Sequence, residues 1–364
     1  MIKVLVVDDS VVIRRMVSDV LASDPDIEVV GVAANGSIAL DKIASLKPDL
    51  ITLDVEMPVM DGLQALKEIR KLYSDLKVIM FSTLTERGAR ASLDALSLGA
   101  NDYVTKPANV GSVAAAQKCL RDELVPKIKC FFHRGPVQLP KASAPSPAKP
   151  VVVSPAVRSV SAGQRVQQRI DVVTIGISTG GPNALIEMMP TLPKDFPVPI
   201  VIVQHMPEMF TKLLADRLND KSAIQVSEAS AGNQLRPGHA LVAPGGFHMA
   251  LVRKGNLVET TLNQDAPENS CRPAVDVLFR SVASIYGANT LAVVMTGMGQ
   301  DGLLGGHKIK EAGGHIIAQD KESSVVWGMP GAVSEAGLAE ALIPLNRIGS
   351  EITRRVQAVR IGRV

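Results

Sequence analysis

A serine, a histidine and an aspartate each stand just beyond a buried-strand pattern in this sequence. Ser178 follows DVVTIGI, His205 follows PIVIVQ, and Asp301 lies in the TGMGQDG loop after TLAVVM. An isolated Ser hydroxyl is a poor nucleophile at neutral pH, and an imidazole within hydrogen-bond reach makes it usable. A carboxylate on the other ring nitrogen would fix the tautomer and stabilise the imidazolium. The chain order Ser…His…Asp differs from the Ser…Asp…His order of the α/β-hydrolase fold, which argues against that fold but not against a triad. Gly176-Ile177-Ser178-Thr179-Gly180 also fits G-x-S-x-G, the strained turn that raises a serine at a strand end, although such a turn is also ordinary punctuation. A phosphate loop is excluded, because Pro182-Asn183 stand where a Lys-Ser/Thr pair is required. By itself Asp301 reads as a helix cap, and the loop lacks the spaced carboxylates of a calcium site. His239, His248, His307 and His315 are rivals for the base, with His248 the strongest. None of them follows a parallel strand beside the serine strand.

A second group gathers near the N-terminus. Asp8, Asp9 and Asp54 all follow strand patterns, so carboxylates from two strand ends converge on one spot. Like charges at that distance repel unless a cation sits between them, and hard oxygen donors suit Mg²⁺. Lys106 would add a fixed positive charge and Ser82 a hydroxyl. The alternative is a set of solvated loop-end carboxylates.

Alternating strand and helix patterns must position both groups. In residues 1–130 strands are expected at Lys3–Val7, Ile27–Val32, Leu50–Leu53, Lys77–Phe81 and Asp102–Val104, with helices between them. Five such units imply a doubly wound parallel sheet of the flavodoxin kind. Residues 131–169 change character. Six prolines fall between Arg134 and Arg169, no periodic pattern survives, and no acidic residue occurs between Glu123 and Asp171. That is the composition of a semi-stiff, Pro-rich linker. Residues 170–364 return to α/β patterning, and a larger Rossmann-like parallel sheet is expected. Its strands run over 171–177, 199–204, 290–295 and 314–319, and an antiparallel hairpin or meander over 239–242 and 248–252.

Four segments, VVDDS at 6–10, DVEMPVMDG at 54–62, Ser82-Thr83 and YVTKP at 103–107, resemble a response-regulator receiver domain. The resemblance implies that a histidine kinase phosphorylates Asp54, with Mg²⁺ held by Asp8, Asp9, Asp54 and the carbonyl of Glu56. Ser82 would bond the phosphoryl group, Lys106 would pair with it, Tyr103 would act as aromatic switch, and the Lys106–Pro107 bond is often cis in such domains. Further on, GISTGGP at 176–182, QHMP at 204–207, APGG at 243–246, RPAVDVLFRS at 272–281 and TGMGQDG at 296–302 are similar to the catalytic domain of the CheB family. Those enzymes remove methyl esters from glutamates on chemoreceptor helices and deamidate particular receptor glutamines. By resemblance Ser178 is the nucleophile, His205 the base and Asp301 its orienting carboxylate. The Met298 N–H would serve in the oxyanion hole, Thr179 would support the ring, and ester hydrolysis needs no cofactor. The receiver would then cover the mouth of the Ser178 site until Asp54 is phosphorylated.

Composition bounds the alternatives. A net charge of +3 over 364 residues points to neither nucleic acid nor membrane as partner, and no apolar run approaches a membrane span. The apolar run before Asp8 is too short for a signal peptide, and the three cysteines form no metal-ligand spacing, so a cytoplasmic protein is expected. A DNA-binding output is set aside for want of a basic recognition helix. A catalytically silent scaffold or phosphate sink is the competing reading.

Overall fold

The computed structural model describes residues 1–107, 112–132 and 169–358; the linker expected over 131–169 falls almost wholly outside them. The first unit follows β1 (Ile2–Val7), α1 (Val11–Ala22), β2 (Ile27–Ala33), α2 (Gly36–Leu46), β3 (Leu50–Asp54), α3 (Gly62–Leu72), β4 (Lys77–Ser82), α4 (Glu86–Ser97), β5 (Asp102–Thr105) and α5 (Val113–Cys130). Its parallel strands lie in the order β2-β1-β3-β4-β5. Each helix begins where a short polar side chain can take an orphan N–H: Ser10, Asn35, Asp61, Thr85 and Ser112 all do so. The inner strands are buried on both faces, with α2, α3 and α4 over one face and α1 and α5 over the other.

The second unit is built on seven parallel strands. In chain order it runs β6 (Val172–Ile177), α6 (Gly181–Met188), β7 (Ile200–Gln204), α7 (Phe210–Lys221), β8 (Gln225–Glu228), β9 (His239–Val242), β10 (His248–Lys254) and β11 (Leu257–Asn263). It continues with α8 (Val275–Tyr286), β12 (Thr290–Val294), α9 (Leu303–Glu311), β13 (His315–Gln319), α10 (Met329–Glu335), β14 (Ala341–Ile343) and α11 (Leu345–Gln357). The strand order is β14-β13-β12-β6-β7-β9-β8, which sets β6 at the centre with β7 and β12 on its flanks. The order reverses there, at the point where open sheets form a crevice beyond the strands' carboxyl ends.

Two features depart from expectation. His239–Val242 is not part of a hairpin; it pairs in parallel with both β7 and β8 inside the main sheet. Its residues Ala240, Leu241 and Val242 are buried, and a half-exposed hairpin would leave them wet. The antiparallel partner of β10 is instead β11. The Lys106–Pro107 bond is not cis; among the described residues Arg272–Pro273 is.

The two units touch. α4 lies against α6 and α7. Tyr103 stacks on Phe210 with ring centroids 4.7 Å apart and planes 10° from parallel. Arg217 donates to the carbonyl of Leu93 (2.6 Å) and the hydroxyl of Ser97 (2.9 Å) and pairs with Asp94, while Asn183 donates to the carbonyl of Leu96 (2.9 Å). A single apolar cluster runs from the α3–α4 layer into the layer of α6, α7 and α11.

Candidate active site

Parallel pairing puts the sequence-picked serine and histidine side by side. Ile177 pairs with Gln204, so Ser178 and His205 are the next residues out on neighbouring strands. The His205 N–H donates to the carbonyl of Ile177 (3.2 Å), and the Gln204 amide donates to the carbonyls of Ser178 (3.0 Å) and His205 (3.2 Å). On the other side the Ser178 N–H donates to the carbonyl of Thr296 (3.0 Å). There the loop comes so close that a Cβ on Gly297 would stand 2.8 Å from the Ser178 Cβ, which only glycine avoids. Gly180 begins α6 at φ 77°, a left-handed turn that carries the chain off the strand directly after the serine.

His205 Nε2 lies 2.8 Å from Asp301 Oδ2, with both side chains nearly buried. Asp301 is held from several sides. Oδ2 also accepts from the Val275 N–H (2.6 Å), and Oδ1 from the N–H groups of Asp276 (2.9 Å) and Gly302 (3.0 Å) and the Asn269 amide (3.0 Å). Val275 and Asp276 open α8, so Asp301 caps the facing helix and not chiefly its own, as position alone suggests. Asp276 returns the arrangement by accepting from Gly302 (3.0 Å) and Gly305 (2.6 Å) at the start of α9. Burial pushes the Asp301 carboxyl up, but the His205 hydrogen bond and charge and the Val275 and Asp276 N–H groups outweigh it and hold it below the usual carboxylate value. Burial beside Asp301 leaves Asp276 raised despite its own N–H partners.

The serine is not yet on the relay. Among the described residues no hydrogen bond joins Ser178 Oγ to the ring, whose Nδ1 instead faces Cys271 Sγ at 3.5 Å. Burial would depress the His205 pKa, yet the Cys271 sulfur and the Asp301 carboxylate together raise it above the ordinary imidazole value. The N–H groups of Thr179 and Met298 meet no acceptor among the described residues, and both belong to the turns that flank Ser178. Thr179 is buried, its carbonyl taken by the Thr296 hydroxyl (2.9 Å). His248 is a structural residue: it is buried, Nδ1 accepts from the Ala274 N–H (3.2 Å), and Nε2 lies 3.1 Å from the Ala266 carbonyl.

Asn269, Cys271, Asp276 and Gln204 escape a reading of the sequence. Asp276 carried a signal, a charged residue one position into the apolar first turn of α8. Gln204 lay in the QHMP segment without a role of its own, and Asn269 and Cys271 carried no signal.

The acidic group in the first unit also assembles. Ligand atoms of Asp8, Asp9 and Asp54 lie within 4.8 Å of one another. Lys106 Nζ stands 2.8 Å from Asp8 and 2.7 Å from Asp54. Asp9, Asp54, Glu56, Thr83 and Lys106 line a cavity of about 180 Å³. Burial, with Asp8 adding to it, lifts the Asp54 carboxyl to about 6 against the pull of Lys106. Three hard oxygen donors with a single lysine suit a divalent cation, so the donor set fits Mg²⁺. Ser82 is turned inward and accepts from the Ser92 hydroxyl (2.8 Å), while Tyr103 is buried against Phe210.

Comparison with known proteins gives the family of each unit. Residues 173–352 match the family model described as CheB methylesterase, and residues 4–117 that of the response regulator receiver domain. A protein-glutamate methylesterase/protein-glutamine glutaminase of Trichodesmium erythraeum is 51% identical over 354 residues, covering 97% of this chain and 99% of its own. Its counterpart from a Nocardioides species is 50% identical, covering 99% and 96%. The crystal structure of the Thermotoga maritima CheB methylesterase catalytic domain superposes with a TM-score of 0.50 at 45% identity, spanning 51% of this chain and 98% of that one.

Proposed function

Because this chain belongs to the CheB family of protein-glutamate methylesterases/protein-glutamine glutaminases, we propose that Ser178, His205 and Asp301 perform its hydrolysis under the control of Asp54. The protein is a receiver-controlled methylesterase and deamidase. The observation that carries the residue assignment is the His205 Nε2–Asp301 Oδ2 bond, 2.8 Å long and anchored on backbone N–H groups of α8.

With Nε2 committed to Asp301, Nδ1 is the nitrogen that takes the Ser178 proton, and the Cys271 sulfur must withdraw to admit the hydroxyl. Ser178 Oγ then bonds the ester carbonyl carbon, and the N–H groups of Met298 and Thr179 receive the oxyanion. His205 returns the proton to the leaving oxygen, and methanol departs; from a glutamine the leaving group is ammonia. Water, deprotonated by the same Nδ1, cleaves the acyl-serine and restores the hydroxyl. The substrate is a chemoreceptor segment bearing methylated glutamate or glutamine, and the cytoplasm is the proposed compartment. Among the described residues no helix is long and apolar enough to cross a membrane.

In the receiver, Asp8, Asp9, Asp54 and the Glu56 carbonyl would hold Mg²⁺, which when bound neutralises charge on an incoming phosphoryl group. Asp54 would take that group from the kinase. Lys106 would pair with it, Ser82 would turn from Ser92 to bond it, and Tyr103 would change its packing in response. Because Tyr103 rests on Phe210 at the start of α7, five residues beyond His205, phosphorylation would loosen the contact that restrains the hydrolytic unit. A scaffold without activity is disfavoured by the family's methylesterase name and by a His205–Asp301 pair anchored on backbone N–H groups.

The test is methanol release from methylated receptor. Ser178→Ala, with circular dichroism unchanged, is expected to abolish release and labelling by a serine-reactive phosphonate. Retained turnover would refute the nucleophile.

A further inference from the structure

Two buried carboxylates in contact normally repel, and Asp276 and Asp301, 1% and 2% exposed, lie side by side. One side chain spans them. Asn269 Nδ2 donates to Asp276 Oδ2 and to Asp301 Oδ1, each at 3.0 Å. We infer that Asn269 is a positioning residue for the hydrolysis, its amide tying the two carboxylates together so that Asp301 stays turned toward His205. This rests on the Ser178–His205–Asp301 reading.

A neutral amide suits the position. Its NH₂ carries two protons for two acceptors, a hydroxyl carries one, and a carboxylate would add a third negative charge. The backbone presents it at some expense, since Asn269 and Ser270 both adopt left-handed conformations with φ 51° and 62°. Reciprocal backbone bonds between Glu268 and Cys271 (3.1 and 2.8 Å) close this turn, and the Glu268–Arg280 pair (2.9 Å) fastens it to α8. The same turn therefore delivers Asn269 to the carboxylates and Cys271 to the ring. The charged or titratable groups about the amide are Asp276 and Glu268–Arg280 from the α8 side, Asp301 from the facing loop, and His205 with Cys271 beyond it.

The test uses the full-length protein with Asn269→Gly and Asn269→Asp. Both residues tolerate left-handed φ, so the backbone is held constant while the amide is lost. In Asn269→Gly, kcat for methyl-ester hydrolysis is expected to fall about tenfold or more with KM within about twofold, the scale of a lost outer-shell partner. Asn269→Asp is expected to be weaker still at alkaline pH and to recover in part relative to the parent as pH falls, because a protonated carboxyl restores one of the two donated hydrogen bonds and removes the added charge. Parental kcat and pH profile in the glycine variant, or parallel pH-independent losses in both, would overturn the inference. Should the glycine variant not fold, the isosteric aspartate variant decides: a profile of parental shape overturns it and a recovery at low pH supports it. Asp301→Asn is the control, for if that variant kept full activity the triad reading itself would fall.

Discussion

The Asp301 carboxylate takes the N–H groups of Val275 and Asp276 at the start of α8, and the Asp276 carboxylate takes those of Gly302 and Gly305 at the start of α9. Each aspartate thus caps the helix that carries, or follows, the other. Neither α8 nor α9 has a side-chain cap from its own N-cap residue. The exchange makes the orientation of a candidate catalytic carboxylate a consequence of helix packing rather than of a free rotamer.

Removing Asp276 should therefore cost both stability and rate. We expect Asp276→Ala to destabilise the protein by about 2 kcal/mol, the upper range for a lost cap, and to lower kcat through the loosened 296–302 loop. Urea unfolding and steady-state kinetics measure the two effects. A stability loss with parental kcat would separate the cap from the site.

Cys271 holds the ring nitrogen that the serine needs. His205 must be deprotonated to act as base, and because Cys271 and Asp301 outweigh burial in raising its pKa, the acid limb of kcat/KM is expected above the usual imidazole range. Cys271→Ala removes one of the two influences that raise it, so the limb should move toward lower pH and basal turnover at neutral pH should increase. A pH–rate profile for both proteins checks this, and an unmoved limb would contradict it.

Contacts between the units should set the basal rate. Phe210→Ala breaks the stack on Tyr103, and Arg217→Ala removes the bonds to Leu93, Ser97 and Asp94. An aromatic pair contributes about 0.5–1.5 kcal/mol beyond its buried area, enough to shift a two-state equilibrium by about tenfold at the upper end. Both variants should hydrolyse ester faster than the parent without phosphorylation and gain less from acetyl phosphate with Mg²⁺. Unchanged stimulation would show that the interface does not restrain the enzyme.

Acid stability should depend on Glu340, which meets Lys310 (3.0 Å), His315 (2.9 Å) and Arg355 (2.8 Å). Burial raises its carboxyl, but these three partners outweigh burial and bring it to about 2 from 4.5. A depressed carboxylate stabilises the fold above its unfolded pKa, and that contribution disappears as pH falls from 4.5 toward 2. Glu340→Gln should lower the midpoint of thermal unfolding at neutral pH and flatten its fall across that acid window. Thermal melts at stepped pH read both.

Much of this was legible from local pattern. Buried strands followed by chemically able residues announced Ser178, His205, Asp301, Asp8, Asp9 and Asp54, because parallel sheets gather side chains at their carboxyl ends. Short apolar runs also revealed both parallel sheets. The misread strand, His239–Val242, failed for a physical reason: four residues of alternating appearance do not say whether the partner strand runs parallel or antiparallel.

What a linear reading determined was the inventory of candidate groups and the sheet edges that present them, since each follows from periodicity over a few neighbouring residues. Tertiary structure alone decided that Asp301 anchors on α8, that Asn269 bridges it to Asp276, that Cys271 and not Ser178 faces His205 Nδ1, and that Tyr103 lies on Phe210. Those contacts join residues from 7 to more than 100 positions apart through the relative placement of loops, helices and domains. No local propensity encodes that placement; it emerges only when the separate apolar faces are packed together.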